Sequence, residues 1–175
     1  ANKPYRALVY DQGRLFVGEG STKQGEIHVF KVANLEAPSK LEVELLMVFR
    51  GHKYGIRQLA IAGDLVVSVG DDNDNGLLVW ETVSPRMLSA NLMKKSQILG
   101  TVFVPDPPLG QIQFVTYGTN CHLKLWSVDI ERSEKYPTVY SVKVEADKPV
   151  PQLEGKKLLI GQAADFVFSK VIIEK

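Results

Sequence analysis

Short runs of apolar and β-branched residues alternate along the whole chain with polar turns rich in glycine, proline, asparagine and aspartate. Runs of this length, with a period of two and bounded by turn residues, predict β-strands. In the centre of the chain they predict strands at Ile56 to Ala62, Leu65 to Val69, Leu77 to Trp80 and Met87 to Met93. No long window has a helical period, so the sequence predicts an all-β chain.

The four-strand unit has one copy upstream and one downstream. The predicted strands are Tyr5 to Tyr10, Leu15 to Gly18, Glu26 to Val32 and Leu41 to Phe49 upstream, and Ile98 to Val104, Ile112 to Tyr117, His122 to Val128 and Thr138 to Val144 downstream. Trp80 and Trp126 take corresponding places, and Phe30 takes that place in the upstream copy. Repeats of about 40–50 residues with four short strands each are typical of β-propeller blades.

The repeats predict a propeller fragment of three four-stranded antiparallel blades, at about residues 5–50, 51–95 and 96–145. Two further apolar runs, 157–163 and 166–173, predict part of a fourth blade at 150–175. Segments 105–108 and 133–137 contain proline, which cannot donate to a β-ladder, so both are predicted to lie outside the sheets.

Four polar or amphipathic side chains of the central copy have a specific spacing: His52 in Gly51-His52, Ser68, Asp74 (or Asp72) and Trp80. They match the histidine, serine, aspartate and tryptophan of the WD-repeat family, which this copy resembles. The resemblance implies a hydrogen-bonded relay within the blade. Independently, a buried indole N–H, imidazole and carboxylate are each costly when unpaired, and all are satisfied when they are linked.

The other two copies retain less of this set. The downstream copy keeps Thr116 and Trp126, but has Lys95-Ser96 where Gly-His would fall and Asn120 near the aspartate position. The upstream copy has Phe30 for the tryptophan. The sequence therefore predicts one complete relay, with Thr116 and Trp126 as part of a second.

Several runs also resemble a narrower group. They are Gly51 to Gly55, Val67 to Gly70, Val79-Trp80, Ser89 to Asn91, Phe114 to Gly118 and His122 to Trp126. The pattern is similar to the mitogen-activated-kinase-binding WD-repeat scaffolds of the JNK pathway and spindle pole, and next to the EMAP-like microtubule-associated proteins. The match covers roughly residues 14 to 130. It implies a scaffold role, but the matching residues are blade-forming ones and do not carry over a kinase-docking segment.

Composition narrows the classes of partner. The 175 residues are 45 % hydrophobic and 23 % charged, with a formal net charge of +1. This balance gives no electrostatic footprint for nucleic acid or an anionic membrane, and no apolar run is long enough to span a bilayer. The single cysteine, Cys121, excludes an internal disulfide and fits a reducing compartment. Composition thus predicts a cytoplasmic location, and the resemblance to the narrower group implies the cytoskeleton or spindle pole as a more specific expectation.

Three groups of side chains suggest more specific chemistry. The turn from Asp71 to Gly76 fits the first half of an EF-hand loop, but Thr82 stands at the twelfth position, where a glutamate is required. Cys121-His122 has no second ligand at metal-binding spacing, so this pair is predicted to begin a strand. His28 is predicted to lie on the opposite strand face from Ile27 and Val29. No catalytic residue, metal site or cofactor is predicted.

The predicted blades raise a question of assembly. Each has apolar faces that need a neighbouring blade, and propellers close with about 4–8 blades. Either the chain is a piece of a longer protein, which we favour, or two copies cover each other's exposed faces. The predicted function is a non-catalytic protein-interaction scaffold that binds through loops 20–25, 71–76, 106–110 and 133–137. A microtubule-associated structural propeller and a metal-binding or enzymatic propeller are the alternatives.

Overall fold

A computed structural model describes residues 4–20, 23–34, 36, 40–71, 74–93, 96–107, 109–120, 122–133 and 136–146 of the chain. Its twelve elements are all β-strands. They are β1 (Tyr5–Asp11), β2 (Arg14–Glu19), β3 (Glu26–Ala33), β4 (Glu42–Arg50), β5 (Ile56–Ala62), β6 (Leu65–Gly70), β7 (Gly76–Glu81), β8 (Arg86–Leu92), β9 (Ile98–Phe103), β10 (Gln111–Gly118), β11 (Leu123–Ser133) and β12 (Tyr136–Ala146).

The strands form three separate four-stranded antiparallel sheets, in the orders β1-β2-β3-β4, β5-β6-β7-β8 and β9-β10-β11-β12. We call them the first, second and third blades. Every strand predicted for the three complete copies overlaps one of these, which confirms the all-β, four-stranded architecture. The part of a fourth blade predicted at 150–175 lies outside the described residues. The described part of the chain contains no helix long and apolar enough to cross a membrane.

The segment 133–137 differs from its prediction. Ser133 is the last residue of β11, and Pro137 is the second residue of β12. The prediction that this segment lies outside the sheet was therefore wrong. β12 is the outermost strand of the third blade, and an edge strand tolerates a proline because one of its sides has no ladder to complete.

The second blade lies between the other two, and its strands are buried accordingly. Every residue of β6 and β7 is buried, because both faces of these strands are covered. The core shared with the first blade contains Ala7, Phe16, Ile27, Val29, Phe49, Ile56, Leu59, Val66, Leu78 and Trp80. The core shared with the third blade contains Leu65, Val67, Val69, Leu77, Val79, Ile98, Phe114, Trp126 and Val128.

The strand registers give all three blades the same orientation. Phe30 pairs with Leu15, Trp80 with Val66 and Trp126 with Phe114. In the second and third blades the face that carries the tryptophan packs against the preceding blade, and both indoles are buried. The equivalent face of the first blade carries Phe30 and has no blade against it among the described residues.

That face, which we call the first-blade face, is largely apolar. Two cross-strand rows form its centre: Tyr10, Leu15, Phe30 and Leu45, and beside them Leu8, Val17, His28 and Val48. Leu8 is 66 % exposed and Leu45 is 53 % exposed. The alternation that buries Phe16 and Val29 against the second blade therefore places Leu15, His28 and Phe30 on the other face, where they are partly exposed.

Replacing Ile56 with alanine tests whether packing between blades stabilises the chain. Ile56 is fully buried in the core between the first two blades. Truncating its side chain to a methyl group leaves a cavity, so we expect a loss of about 2–5 kcal/mol in the free energy of unfolding, measured by denaturant titration. Leu109→Ala is the control, since Leu109 is fully exposed and its truncation should change the value by less than about 0.5 kcal/mol. Equal stability of the two variants would contradict the packing described here.

Candidate functional site

The second blade contains a linear chain of hydrogen bonds through four side chains. The indole Nε1–H of Trp80 donates to Ser68 Oγ over 2.8 Å. Ser68 Oγ lies 2.7 Å from His52 Nε2, and His52 Nδ1 lies 2.7 Å from Asp74 Oδ2. The structure thus brings together His52, Ser68, Asp74 and Trp80, the four residues that match the WD-repeat pattern in the sequence. The alternative carboxylate, Asp72, lies outside the described residues.

Glycines make room for this chain of side chains. A Cβ at Gly51 would lie 2.7 Å from the indole of Trp80, so the residue before His52 has to be small. A Cβ at Gly70 would lie 2.6 Å from the Cβ of Asp74, and one at Gly76 would lie 2.8 Å from its Oδ1. The carboxylate is therefore held where two backbone segments approach it closely, which explains the glycine on either side of the acidic turn.

The Asp74 carboxylate also organises the segment that carries His52. Its Oδ2 accepts a hydrogen bond from the backbone N–H of Lys53 at 3.1 Å and a longer one from Tyr54 at 3.5 Å. Burial raises the pKa of Asp74, but the hydrogen bond and charge of His52 and the two backbone N–H groups lower it, and the pKa lies below its ordinary value. Asp74 thus joins the turn before β7 to the segment before β5.

The order Asp74, His52, Ser68 is also the connectivity of a hydrolase triad. The geometry does not serve that chemistry here. Ser68 is fully buried, and its oxygen already accepts the indole N–H of Trp80. A nucleophile has to reach a substrate, whereas this hydroxyl joins two buried groups. These hydrogen bonds therefore have a structural role: they join strands β6 and β7 to the segment before β5 and to the turn before β7.

The third blade has a related but shorter chain. Trp126 Nε1–H donates to Thr116 Oγ1 over 2.9 Å, and Thr116 Oγ1 lies 2.9 Å from His122 Nε2. Thr116 and Trp126 were expected in this role, but His122 was not. His122 lies just before β11 and is buried. Its imidazole comes from the turn between β10 and β11, whereas His52 comes from the segment before β5.

The sequence carried a weak indication that His122 is the relay histidine of the third blade. His122 is four residues before Trp126, close to where Asp74 stands relative to Trp80. It was predicted as the first residue of a strand, whereas the strand begins at Leu123. Asn120, predicted near the aspartate position, is exposed in the turn with a φ of 54°. Lys95 and Cys121 lie outside the described residues.

The first blade replaces the relay with apolar residues. Its register places Val17 where the other blades have Ser68 and Thr116, and Phe30 where they have tryptophan.

The histidine of the first blade, His28, lies on β3 and on the opposite face from the buried Ile27 and Val29, as the alternation predicted. His28 Nε2 lies 3.4 Å from Glu19 Oε1 and 3.2 Å from Glu26 Oε2, a grouping that the sequence analysis did not find.

The predicted binding loops are described only in part. Residues 21–22, 72–73, 108 and 134–135 fall outside the described residues. Of the rest, Gly25 N–H donates to the carbonyl of Tyr54 over 2.8 Å, which ties the first blade's loop to the second blade. Asp106 and Leu109 are exposed beside Gly110.

The described strands form three stacked, four-stranded meanders. In two of them a tryptophan is hydrogen-bonded to a buried hydroxyl that also contacts a histidine. This arrangement defines a WD-repeat-like β-propeller fold. No protein-family profile and no curated protein sequence matches the chain. It is similar to a chain of the solved structure "Crystal Structure of Mitotic Checkpoint Complex", with 12% sequence identity and a TM-score of 0.43. The similarity covers 82% of this chain and 52% of that chain, so this chain spans about half the length of the solved one.

Removing the central hydroxyl of either relay should destabilise the protein. Ser68→Ala leaves the Trp80 N–H and an imidazole nitrogen of His52 without their partner, and Thr116→Val does the same to Trp126 and His122 at nearly constant volume. We expect each to lower the free energy of unfolding by about 1–3 kcal/mol. Thr116→Ser, which keeps the hydroxyl, is the matched control and should lose less than Thr116→Val. A loss in Thr116→Ser with none in Thr116→Val would show that the methyl group of Thr116, and not its hydroxyl, supports Trp126.

The low pKa of Asp74 predicts a specific dependence of stability on pH. Because the folded-state pKa lies below the unfolded value, this carboxylate stabilises the fold above about pH 4, and the contribution is lost as the pH falls through the folded-state pKa. Denaturant midpoints measured between about pH 6 and pH 2 should fall less steeply for Asp74→Asn than for the wild type. Asp106→Asn, at an exposed turn, should follow the wild-type profile. A wild-type slope in Asp74→Asn would remove Asp74 as the source.

Proposed function

We propose that this chain is part of a non-catalytic, WD-repeat-type scaffold for protein–protein interaction in the cytoplasm. The observation that carries the proposal is the first-blade face, an apolar and aromatic sheet surface on a rigid support. Contiguous exposed apolar surface of this kind marks places where another protein packs. The single cysteine supports a reducing location.

The composition of the first-blade face supports binding of a protein rather than of a small polar ligand. Leu8, Tyr10, Val43 and Leu45 are each about half exposed or more. Tyr10 and Leu45 stand at the two ends of the row that includes Leu15 and Phe30. The row crosses all four strands of the blade, so a partner would meet apolar side chains across the full width of the sheet.

The rigidity of the support also favours recognition. The opposite side of the same strands is packed into the core shared with the second blade, and Arg14 donates to Thr82 Oγ1 of the second blade over 2.9 Å. Side chains on a fixed sheet lose little conformational entropy when a partner binds. The first-blade face is thus presented in a defined geometry.

The class of partner rests on the sequence resemblance. The runs shared with mitogen-activated-kinase-binding scaffolds favour a protein kinase or a spindle-pole component, and those shared with EMAP-like proteins favour microtubules. The two scaffold roles differ only in partner. The exposed Leu8 and Leu45 equally allow a second copy of the chain as occupant, and a solution-mass measurement separates that case.

Leu8→Lys and Leu45→Lys test this proposal, since each places a charge on the first-blade face. Binding is measured against a purified mitogen-activated protein kinase and by co-sedimentation with polymerised tubulin, and solution mass by light scattering. We expect the wild type to bind one of these or to self-associate, and each variant to weaken that interaction at least tenfold, or about 1.4 kcal/mol.

Val83→Lys is the matched control, because Val83 is 69 % exposed but lies in the turn between β7 and β8. It should bind as the wild type does, and all three variants should keep the wild-type melting temperature. Unchanged binding by both face variants would contradict the proposal. So would a monomeric wild type that binds neither the kinase nor microtubules.

A further inference from the structure

Three side chains that are potential metal ligands meet at one end of the hairpin between β2 and β3. Glu19 is the last residue of β2, Glu26 is the first of β3, and His28 follows Glu26 on the same side of the strand. The register pairs His28 with Val17, two residues before Glu19. All three side chains therefore lie on the first-blade face, and the hairpin brings them together across loop 20–25.

The spacing of their ligand atoms fits a small metal ion. His28 Nε2 lies 3.2 Å from Glu26 Oε2 and 3.4 Å from Glu19 Oε1, and one ligand atom from each residue lies within 4.8 Å of the other two. Zinc bonds to nitrogen and oxygen of about 2.0–2.2 Å in a tetrahedron separate neighbouring ligand atoms by about 3.3 Å. The two nitrogen–oxygen distances agree with that separation.

Two neighbouring side chains, Tyr5 and Arg50, contact His28 and Glu26 respectively. Tyr5 Oη lies 3.4 Å from His28 Nδ1, and the Tyr5 ring meets the imidazole edge-on at a centroid distance of 5.9 Å. A partner on Nδ1 fixes the imidazole ring, so that Nε2 is held towards the two glutamates. Arg50 Nε donates to Glu26 Oε1 over 2.6 Å and leaves Oε2 directed towards His28.

Burial distinguishes this group from a solvated charge cluster. The side chain of Glu19 is 7% exposed, that of His28 19% and that of Glu26 20%. The carboxylate of Glu19 is therefore oriented by the surrounding structure. The partial exposure of the other two leaves one side of the group open towards the first-blade face.

We propose that Glu19, Glu26 and His28 bind a divalent transition-metal cation of the zinc type. An imidazole nitrogen with two carboxylates suits zinc and its first-row neighbours, whereas calcium and magnesium take oxygen ligands. Three protein ligands leave a fourth tetrahedral position for water or for a group of whatever packs on this face. The proposal does not depend on the proposed function, because the site is complete within one blade.

The test uses the full chain with Cys121→Ser, which removes the only thiol, and titrates it with zinc chloride by calorimetry. We expect one zinc per chain, a raised melting temperature, and no response to calcium. His28→Gln should weaken zinc binding at least tenfold, and Glu19→Gln should weaken it as well. Arg50→Gln should bind zinc at least as tightly as the parent, because it removes a cation that pairs with Glu26.

Cobalt(II) gives a second measurement that does not need a ligand variant to fold. The visible absorption of the cobalt-loaded parent should be that of a four-coordinate ion and should disappear on addition of zinc. Absence of saturable zinc binding would overturn the proposal and leave an ion-pair cluster only. So would undiminished binding in both His28→Gln and Glu19→Gln, or a cobalt spectrum of the six-coordinate aqueous type.

Discussion

Stacking of sheets face to face is the constraint on which the rest of this structure depends. The second blade shows it most clearly, since β6 and β7 are buried at every residue only because a blade lies on each side. The apolar side chains of β6 that face the first blade alternate with those that face the third. A single blade would expose one or both of these sets to water. Burial of apolar surface between blades therefore organises the chain, and the hydrogen-bonded groups work within the space that it defines.

The position of the relay hydroxyl and its partners is occupied by a different set of side chains in each of the three blades. In the second blade a serine joins a tryptophan to a histidine–aspartate pair, and in the third a threonine joins a tryptophan to a histidine from a different turn. In the first blade Val17 and Phe30 occupy these registers and need no polar partner. A buried polar position is costly only when it is left incomplete. At this position each blade therefore has either a hydrogen-bonded network or apolar side chains.

The strands were predictable because they depend on local pattern, whereas the central relay was an expectation from the resemblance to the WD-repeat family. Alternation between Val66 and Val67, or between Ile27 and His28, determines which face each residue occupies, and Gly51-His52 with Trp80 carries the resemblance to that family. His122 was missed because it lies in the turn between β10 and β11, whereas the histidine of the second blade, His52, comes from the segment before β5. Glu19 and His28 were not associated because they lie on different strands, and only the register of β2 with β3 brings them together. Pro137 was placed outside the sheet because a sequence does not reveal which strand lies at an edge.

The common orientation of the blades makes the stack polar. Each blade presents its tryptophan or phenylalanine face in the same direction along the series, so the two ends of the array are chemically different surfaces. Two copies that continued the series would have to meet head to tail, through unlike patches. Such a heterologous contact cannot be satisfied by a simple two-fold axis. It closes into a ring only when the rotation between successive blades divides the full circle evenly, and otherwise it propagates as an open helix.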